Sequence, residues 1–179
     1  MKSSINMKAS QQGFTLIELV VVIVILGVLA VTAAPKFINL QDDARTATLN
    51  AIKASDQSIS TLVHSKSLIA GKEKESTSTV SVNGENEPIA FGYPRSNDVD
   101  AAASWRNMLD VSVDDFIIIA GADKTGAKVI IVHPKGDAPT NLTDWTMTDE
   151  ATADANCFTY YSEVIAVGNT PTFGTVNCI

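Results

Sequence analysis

The sequence is poor in the residues from which most catalytic and metal centres are built. Of its 179 residues, two are cysteine and two are histidine. Two cysteines exclude a disulfide-dense miniprotein and a four-cysteine zinc site. Basic side chains are also scarce, with 13 Lys and Arg against 20 Asp and Glu, a net charge of −7 and a pI near 4.7. A chain of that sign repels phosphate unless it carries a local basic stripe, so no nucleic-acid partner is expected. Ten glycines and six prolines leave no room for collagen-like or low-complexity tracts. Charged residues make up only 18% of the chain and apolar ones 45%. That balance excludes a disordered chain and suits one domain of ordinary size, with at most an appendage.

What is present is unevenly placed. Residues 1–13, MKSSINMKASQQG, hold Lys2 and Lys8, no acid and little apolar surface. Phe14 to Ala34 reads FTLIELVVVIVILGVLAVTAA, 21 residues with one charge, Glu18. As a helix this run is roughly 31 Å long, about the thickness of a hydrocarbon core. Lys2 and Lys8 precede it, which predicts a cytoplasmic N-terminus and a chain that continues on the far side of a membrane.

Three readings of the run compete. Thr32-Ala33-Ala34 offers small residues for secretory cleavage, but the run is long for a signal core, Pro35 follows at once and Glu18 stands near its start. A plain membrane anchor explains the length and gives Glu18 no purpose, although an acid inside a bilayer costs on the order of 2.5–3.5 kcal/mol. The third reading uses the junction itself. Gly13-Phe14-Thr15-Leu16-Ile17-Glu18, continued through Leu19–Ala30 to Ala34-Pro35, resembles the processing site and helix of type IV prepilins.

That resemblance implies a leader, residues 1–13, removed after Gly13 by a prepilin peptidase. Phe14 would become the N-methylated first residue, and the apolar segment 14–35 would be retained in the inner membrane and then in a filament core. Cleavage would carry away two positive charges, those of Lys2 and Lys8. Glu18 of an incoming subunit would pair with the Phe14 amine of its neighbour, matching a costly carboxylate with a cation and fixing the register. Gly27 and Pro35 lower helix strength, glycine by about 1 kcal/mol against alanine and proline by removing a donor and crowding the Val31 carbonyl. Related filaments loosen there when subunits leave the bilayer, and a tolerated kink in a membrane helix is the alternative.

Residues 36–70 contain no proline or glycine. Leu49, Ile52, Ile59, Leu62, Val63 and Ile69 recur at helical spacing and predict the face that docks on a head, with Phe37, Ile38 and Leu40 nearer the membrane. Gly71 is the predicted stop. A continuous helix from Phe14 to Ala70 would be about 85 Å long, so only its second half could pack on a globular head.

Beyond it, Lys72-Glu73-Lys74-Glu75 reads as a solvated turn, Thr77–Val82 as a strand ending in an Asn83-Gly84 turn, and Ile89–Tyr93 as a short strand. Val99–Leu109 reads as a short helix with Trp105 and Leu109 on one face. Phe116–Ala120 and Ala127–His133 form a hairpin ended by Pro134, residues 134–156 a polar loop, and Phe158–Val167 and Thr172–Val176 two further strands. The fold class is therefore α+β: a long N-terminal helix packed by its C-terminal half on an antiparallel sheet, and the resemblance to prepilins implies that this is the pilin fold. The domains expected are a leader 1–13, a membrane and filament-core segment 14–35, and a head 36–179.

Cys157 and Cys178 would lie outside the cytoplasm, where disulfides persist, and a C-terminal disulfide is also the pilin pattern. Closing that loop is worth roughly 3–3.5 kcal/mol in the chain-entropy model. No enzyme is expected. His64 and His133 are isolated, and the chain has no phosphate loop, zinc-protease motif or nucleophile elbow. Asp137, Asp144, Asp149, Glu150 and Asp154 read as a solvated acidic surface, with Ca²⁺ binding as the alternative, and they lack EF-hand spacing. No cofactor or metal is expected. Asn141-Leu142-Thr143 has the form of a glycosylation sequon.

The short leader and phenylalanine start resemble type IVa major pilins. Ala34-Pro35-Lys36-Phe37-Ile38-Asn39-Leu40-Gln41-Asp42-Asp43-Ala44-Arg45 is similar to the mannose-sensitive haemagglutinin pilin family. The resemblance implies identical subunits in a helical surface filament and an assembly machinery with its ATPases. It also implies roles in adhesion and biofilm formation, with surface glycans as possible targets. The rivals are a type II secretion pseudopilin or minor pilin, and a membrane-anchored periplasmic binding domain.

Overall fold

The computed structural model describes residues 13–136 and 157–178. The chain divides between Leu40 and Gln41 into two compact units. Helix α1 (Leu16–Ala70) starts in the first and ends in the second.

In the first unit α1 carries the apolar run. Among the described residues it is the one helix long and apolar enough to cross a membrane, with a mean hydropathy of 2.9 in its most apolar window and none of that window buried. Within this helical stretch Thr32 Oγ1 bonds back to the carbonyls of Val28 and Leu29 at 3.2 and 3.0 Å. A helix in lipid has to satisfy its polar groups internally in this way. Both Gly27 and Pro35 lie within α1.

In the second unit α1 stops as the sequence predicts. Gly71 adopts φ +67°, its N–H bonds to Leu68 O, and Lys72 N–H bonds to Ser67 O. That reciprocal pair is the Schellman closure, which a residue with a Cβ accommodates poorly. Two antiparallel sheets follow in place of the one expected. Strands β1 (Ser78–Val82), β2 (Glu85–Ala90) and β3 (Tyr93–Pro94) form the first. After α2 (Ala101–Leu109), strands β4 (Phe116–Ala122), β5 (Lys128–Pro134), β6 (Phe158–Ser162) and β7 (Thr172–Val176) form the second in chain order. Long helix followed by antiparallel sheets is the α+β architecture the sequence predicts.

The first sheet gains a third strand because Ile89–Tyr93 is not one strand. Phe91 and Gly92 both take positive φ, 50° and 84°, and reverse the chain between β2 and β3. The turn is pressed against α1, where Ser67 Oγ donates to Gly92 O at 3.2 Å and a Cβ on Gly92 would come within 2.8 Å of His64 Nδ1. Phe91 N–H bonds to Glu75 O at 2.7 Å, which holds a non-glycine residue in the left-handed region. Phe158–Val167 is also shorter than expected. β6 ends at Ser162, opposite Thr172 where β7 begins, and one further bond, Glu163 N–H to Lys128 O at 2.9 Å, closes its edge on β5. The hairpin β4–β5, the Asn83-Gly84 turn and β7 match the sequence reading.

One core joins α1, both sheets and α2, with Leu49, Val63, Ile89, Trp105, Ile130 and Tyr161 at its centre. Trp105 and Tyr161 rings lie 4.4 Å apart, and Tyr161 Oη donates to Pro94 O at 2.7 Å, tying β6 of one sheet to β3 of the other. Trp105 Nε1 donates to Arg95 O at 2.9 Å. Trp105 and Leu109 are both buried, as the short-helix reading requires.

The docking face of α1 differs from the predicted stripe. Leu49, Ile52 and Val63 are buried and Ile59 is partly so, but Leu62 and Ile69 are 47% and 89% exposed. The positions that complete the buried face are Asp56, Ser60 and Ser67. Steps of three and four along the helix connect them with Leu49, Ile52 and Val63, so half the face is polar. Residues 137–156, including the acids Asp137, Asp144, Asp149, Glu150 and Asp154 and the sequon at Asn141, lie outside the described residues, as do residues 1–12 of the leader.

Candidate functional site

The segment singled out by the sequence, Gly13 to Glu18, is where coil becomes helix. Gly13, Phe14 and Thr15 are non-helical and exposed, Phe14 at 83%. A Cβ on Gly13 would meet nothing within 4 Å, so no contact among the described residues demands glycine there.

Thr15 and Glu18 close a capping box. Glu18 Oε2 accepts Thr15 N–H and Thr15 Oγ1–H, each at 2.8 Å, while Glu18 N–H donates to Thr15 Oγ1 at 3.3 Å. Leu19 N–H completes the first turn on Thr15 O at 3.3 Å. A helix start leaves four N–H groups without intrahelical partners, and Ser/Thr-x-x-Glu is the pattern that pairs some of them. The signal stood in the sequence as T-L-I-E, ahead of an apolar run, and was not read as a cap. The carboxylate near the start of the apolar run thus has a local structural role that the sequence reading missed.

From Leu16 to Val31 the apolar side chains face outward. Leu16, Ile17 and Val31 are 71–80% exposed. Among the described residues nothing covers this surface, which is the property of a segment buried by lipid or by other chains. Gly27 has open space around it, with nothing within 4 Å of a Cβ. Pro35 is exposed on the same helix.

Residues 8–34 match the prokaryotic N-terminal methylation motif. In this motif and the apolar helix that carries it, the chain is similar to the leader and helix start of type IV prepilins. It is 49% identical over 47 residues to the type IV narrow pilus major component PilA5 of Thermus thermophilus. That alignment covers 26% of this chain and 40% of the relative. No solved structure matches the chain.

In the head, Cys157 and Cys178 form a disulfide. Cys178 N–H also donates to Thr46 Oγ1 on α1 at 3.0 Å, so Cys178 is held both to Cys157, just before β6, and to the helix. His64 stacks on Tyr93 with ring centroids 4.3 Å apart, and His133 is buried within β5. Among the described residues no three His, Cys, Asp or Glu side chains come together to hold a metal.

One head group is electrostatically unusual. Asp56 is 1% exposed on the buried face of α1, and its Oδ1 has no hydrogen-bond partner. Burial pushes its carboxyl up from 3.8 to about 8. Ser60 Oγ, one turn on, also lacks a partner. Facing them, Tyr161 is pushed well above the ordinary phenol range by burial first, then by Glu163, Tyr93 and Asp56. Glu163 itself accepts Ser96 N–H and Oγ–H at 2.8 and 2.9 Å and lies 3.8 Å from Arg95.

Proposed function

We propose that this chain is a structural subunit of a type IV pilus, with no catalytic role. The observation that carries the reading is the methylation motif lying on an uncovered apolar helix that starts at a Thr15–Glu18 cap. An apolar surface of that extent is stable in a bilayer, and it is equally stable among identical helices. Burial of such surface contributes about 25 cal/mol per Å². A heterologous contact repeated by one rotation and rise builds a filament from one kind of subunit.

In this reading a prepilin peptidase cleaves after Gly13 and methylates Phe14. The segment 14–35 waits in the inner membrane, and an ATP-driven machinery draws subunits into a surface filament. Glu18 pairs with the Phe14 amine of a neighbour, the stretch from Gly27 to Pro35 is the weak point of the helix, and 36–179 is the head. The likeness to a pilus major component supports a main rather than a minor subunit. The similarity of Ala34–Arg45 to mannose-sensitive haemagglutinin pilins supports adhesion and biofilm formation as the filament's use.

The deciding measurement is the mass of the N-terminal peptide from mature protein. A peptide beginning at Phe14 and one methyl group heavier supports the reading. One beginning at Met1 points to an anchored periplasmic domain, and one beginning at Pro35 to a secreted protein. Glu18→Val should be inserted and processed yet assemble poorly, and a normal filament yield from it would remove the pairing role.

A further inference from the structure

Glu18 has two carboxylate oxygens, and the subunit uses one of them. Both Thr15 donors, the N–H and the Oγ1–H, converge on Oε2 at 2.8 Å, and among the described residues Oε1 takes part in no hydrogen bond. The side chain is thereby fixed in direction. Without the Thr15 hydroxyl, a glutamate at an exposed helix start rotates among several rotamers, and a partner cation has to fix it at the cost of side-chain entropy. With the hydroxyl, that ordering is complete before a neighbour arrives.

We infer that Thr15 is a positioning residue for filament assembly. It engages Glu18 Oε2 in the helix's own cap, so that Oε1 is presented, already oriented, to a cation of the neighbouring subunit. This rests on the pilus-subunit reading, and it adds a residue that the reading does not contain. Serine keeps both donors at position 15. Valine keeps the shape and the N–H but loses the hydroxyl, which serves as donor to Oε2 and as acceptor for Glu18 N–H. Glutamine at 18 keeps an acceptor oxygen for the cap and loses the charge that attracts a cation.

The test uses the full chain in a cell that assembles the filament. Each variant is co-expressed with wild type, and its share of sheared filaments relative to its share of the membrane pool is read by mass spectrometry. Mature N-terminal masses verify processing in every case. Thr15→Ser should enter filaments as wild type does. Thr15→Val should be processed normally and enter about five-fold less often, the factor that corresponds to one lost cap of about 1 kcal/mol. Glu18→Gln should enter less often still. The double variant T15V/E18Q should enter as often as Glu18→Gln alone, because Thr15 acts through the carboxylate and has nothing left to orient. Equal entry of Thr15→Val and wild type would overturn the inference. So would a loss in the double variant that multiplies the two single losses, since a helix-stabilising role independent of the carboxylate gives that result. If the wild-type chain itself forms no filaments, or does not begin at Phe14, the subunit reading fails instead.

Discussion

Asp56 offers the sharpest quantitative test of the head. Its carboxyl is buried on the face of α1 that packs on the sheets, with one oxygen unpartnered. Its folded-state value of about 8 stands far above the ordinary 3.8. The sign follows from proton binding. In the unfolded chain Asp56 loses its proton near pH 4, whereas in the folded chain it keeps it until about pH 8. Over that interval the native state binds more protons, so this residue's contribution to stability is fully present below pH 4 and is lost as pH rises through 8. At about 1.4 kcal/mol per unit, the loss at pH 7 is roughly 4 kcal/mol.

Asp56→Asn removes the titration and nearly keeps the shape. The variant and wild type should therefore be of similar stability near pH 4, and the variant should gain progressively, by up to roughly 4 kcal/mol at pH 7. The remaining acids titrate alike in both proteins and cancel in the difference. Tyr161, held well above its usual range, ionises outside the window. The assay is urea unfolding of the full chain in a mild detergent at several pH values between 4 and 8, followed by tryptophan fluorescence, which the fully buried Trp105 reports. A stability difference that stays constant across that range would refute the reasoning, because it would mean that Asp56 holds no proton in the folded head.

Three further outcomes test other parts of the molecule. Gly174 pairs with Tyr160 across β6 and β7, and a Cβ there would overlap the Tyr160 ring, so Gly174→Ala should cost about 1–3 kcal/mol in denaturant unfolding, and an unchanged stability would refute the close approach. Cys157→Ser, or reduction, opens a loop of sequence separation 21 and should lower stability by roughly 3 kcal/mol, so that wild type loses its margin in reductant and the variant does not respond. Gly27→Ala meets no steric obstacle and should strengthen α1 by about 1 kcal/mol. If the segment from Gly27 to Pro35 has to loosen on leaving the membrane, that variant should accumulate as processed membrane protein with fewer filaments, and a normal yield would refute the weak-point role.

How much was legible in the sequence depended on the range of the forces involved. The helix stop at Gly71, the Asn83-Gly84 reversal and the β4–β5 hairpin are fixed by local backbone preferences, and each is where the residues predict it. The Phe91-Gly92 reversal is fixed by contacts with His64, Ser67 and Glu75, far away in the chain, and a phenylalanine gives no local warning of positive φ. The docking stripe of α1 failed for a related reason. Apolar periodicity admits several neighbouring faces, and Ser67, bonded to Gly92 O, and Thr46, bonded to Cys178 N, select one that includes Asp56 and excludes Ile69. The candidate site was legible as a whole because it is a contiguous string, but Thr15 was passed over, since the resemblance directs attention to the glycine, the phenylalanine and the glutamate around it.

The two carboxylates that α1 places among apolar groups show why their roles differ. Both stand where water would ordinarily be replaced by hydrocarbon, and a polar group in that setting needs either donors or a proton. Glu18 receives donors: two bonds from Thr15 on one oxygen, at a helix start whose free N–H groups favour a negative charge. The other oxygen stays open at the exposed surface, able to meet a cation from another chain. Asp56 has no donor for Oδ1 and is enclosed by the sheets, so it keeps a proton and contributes to packing in its neutral form. The position of each acid relative to its donors thus decides its use. Glu18 is suited to a contact between subunits, and Asp56 contributes most to the stability of the head in acid.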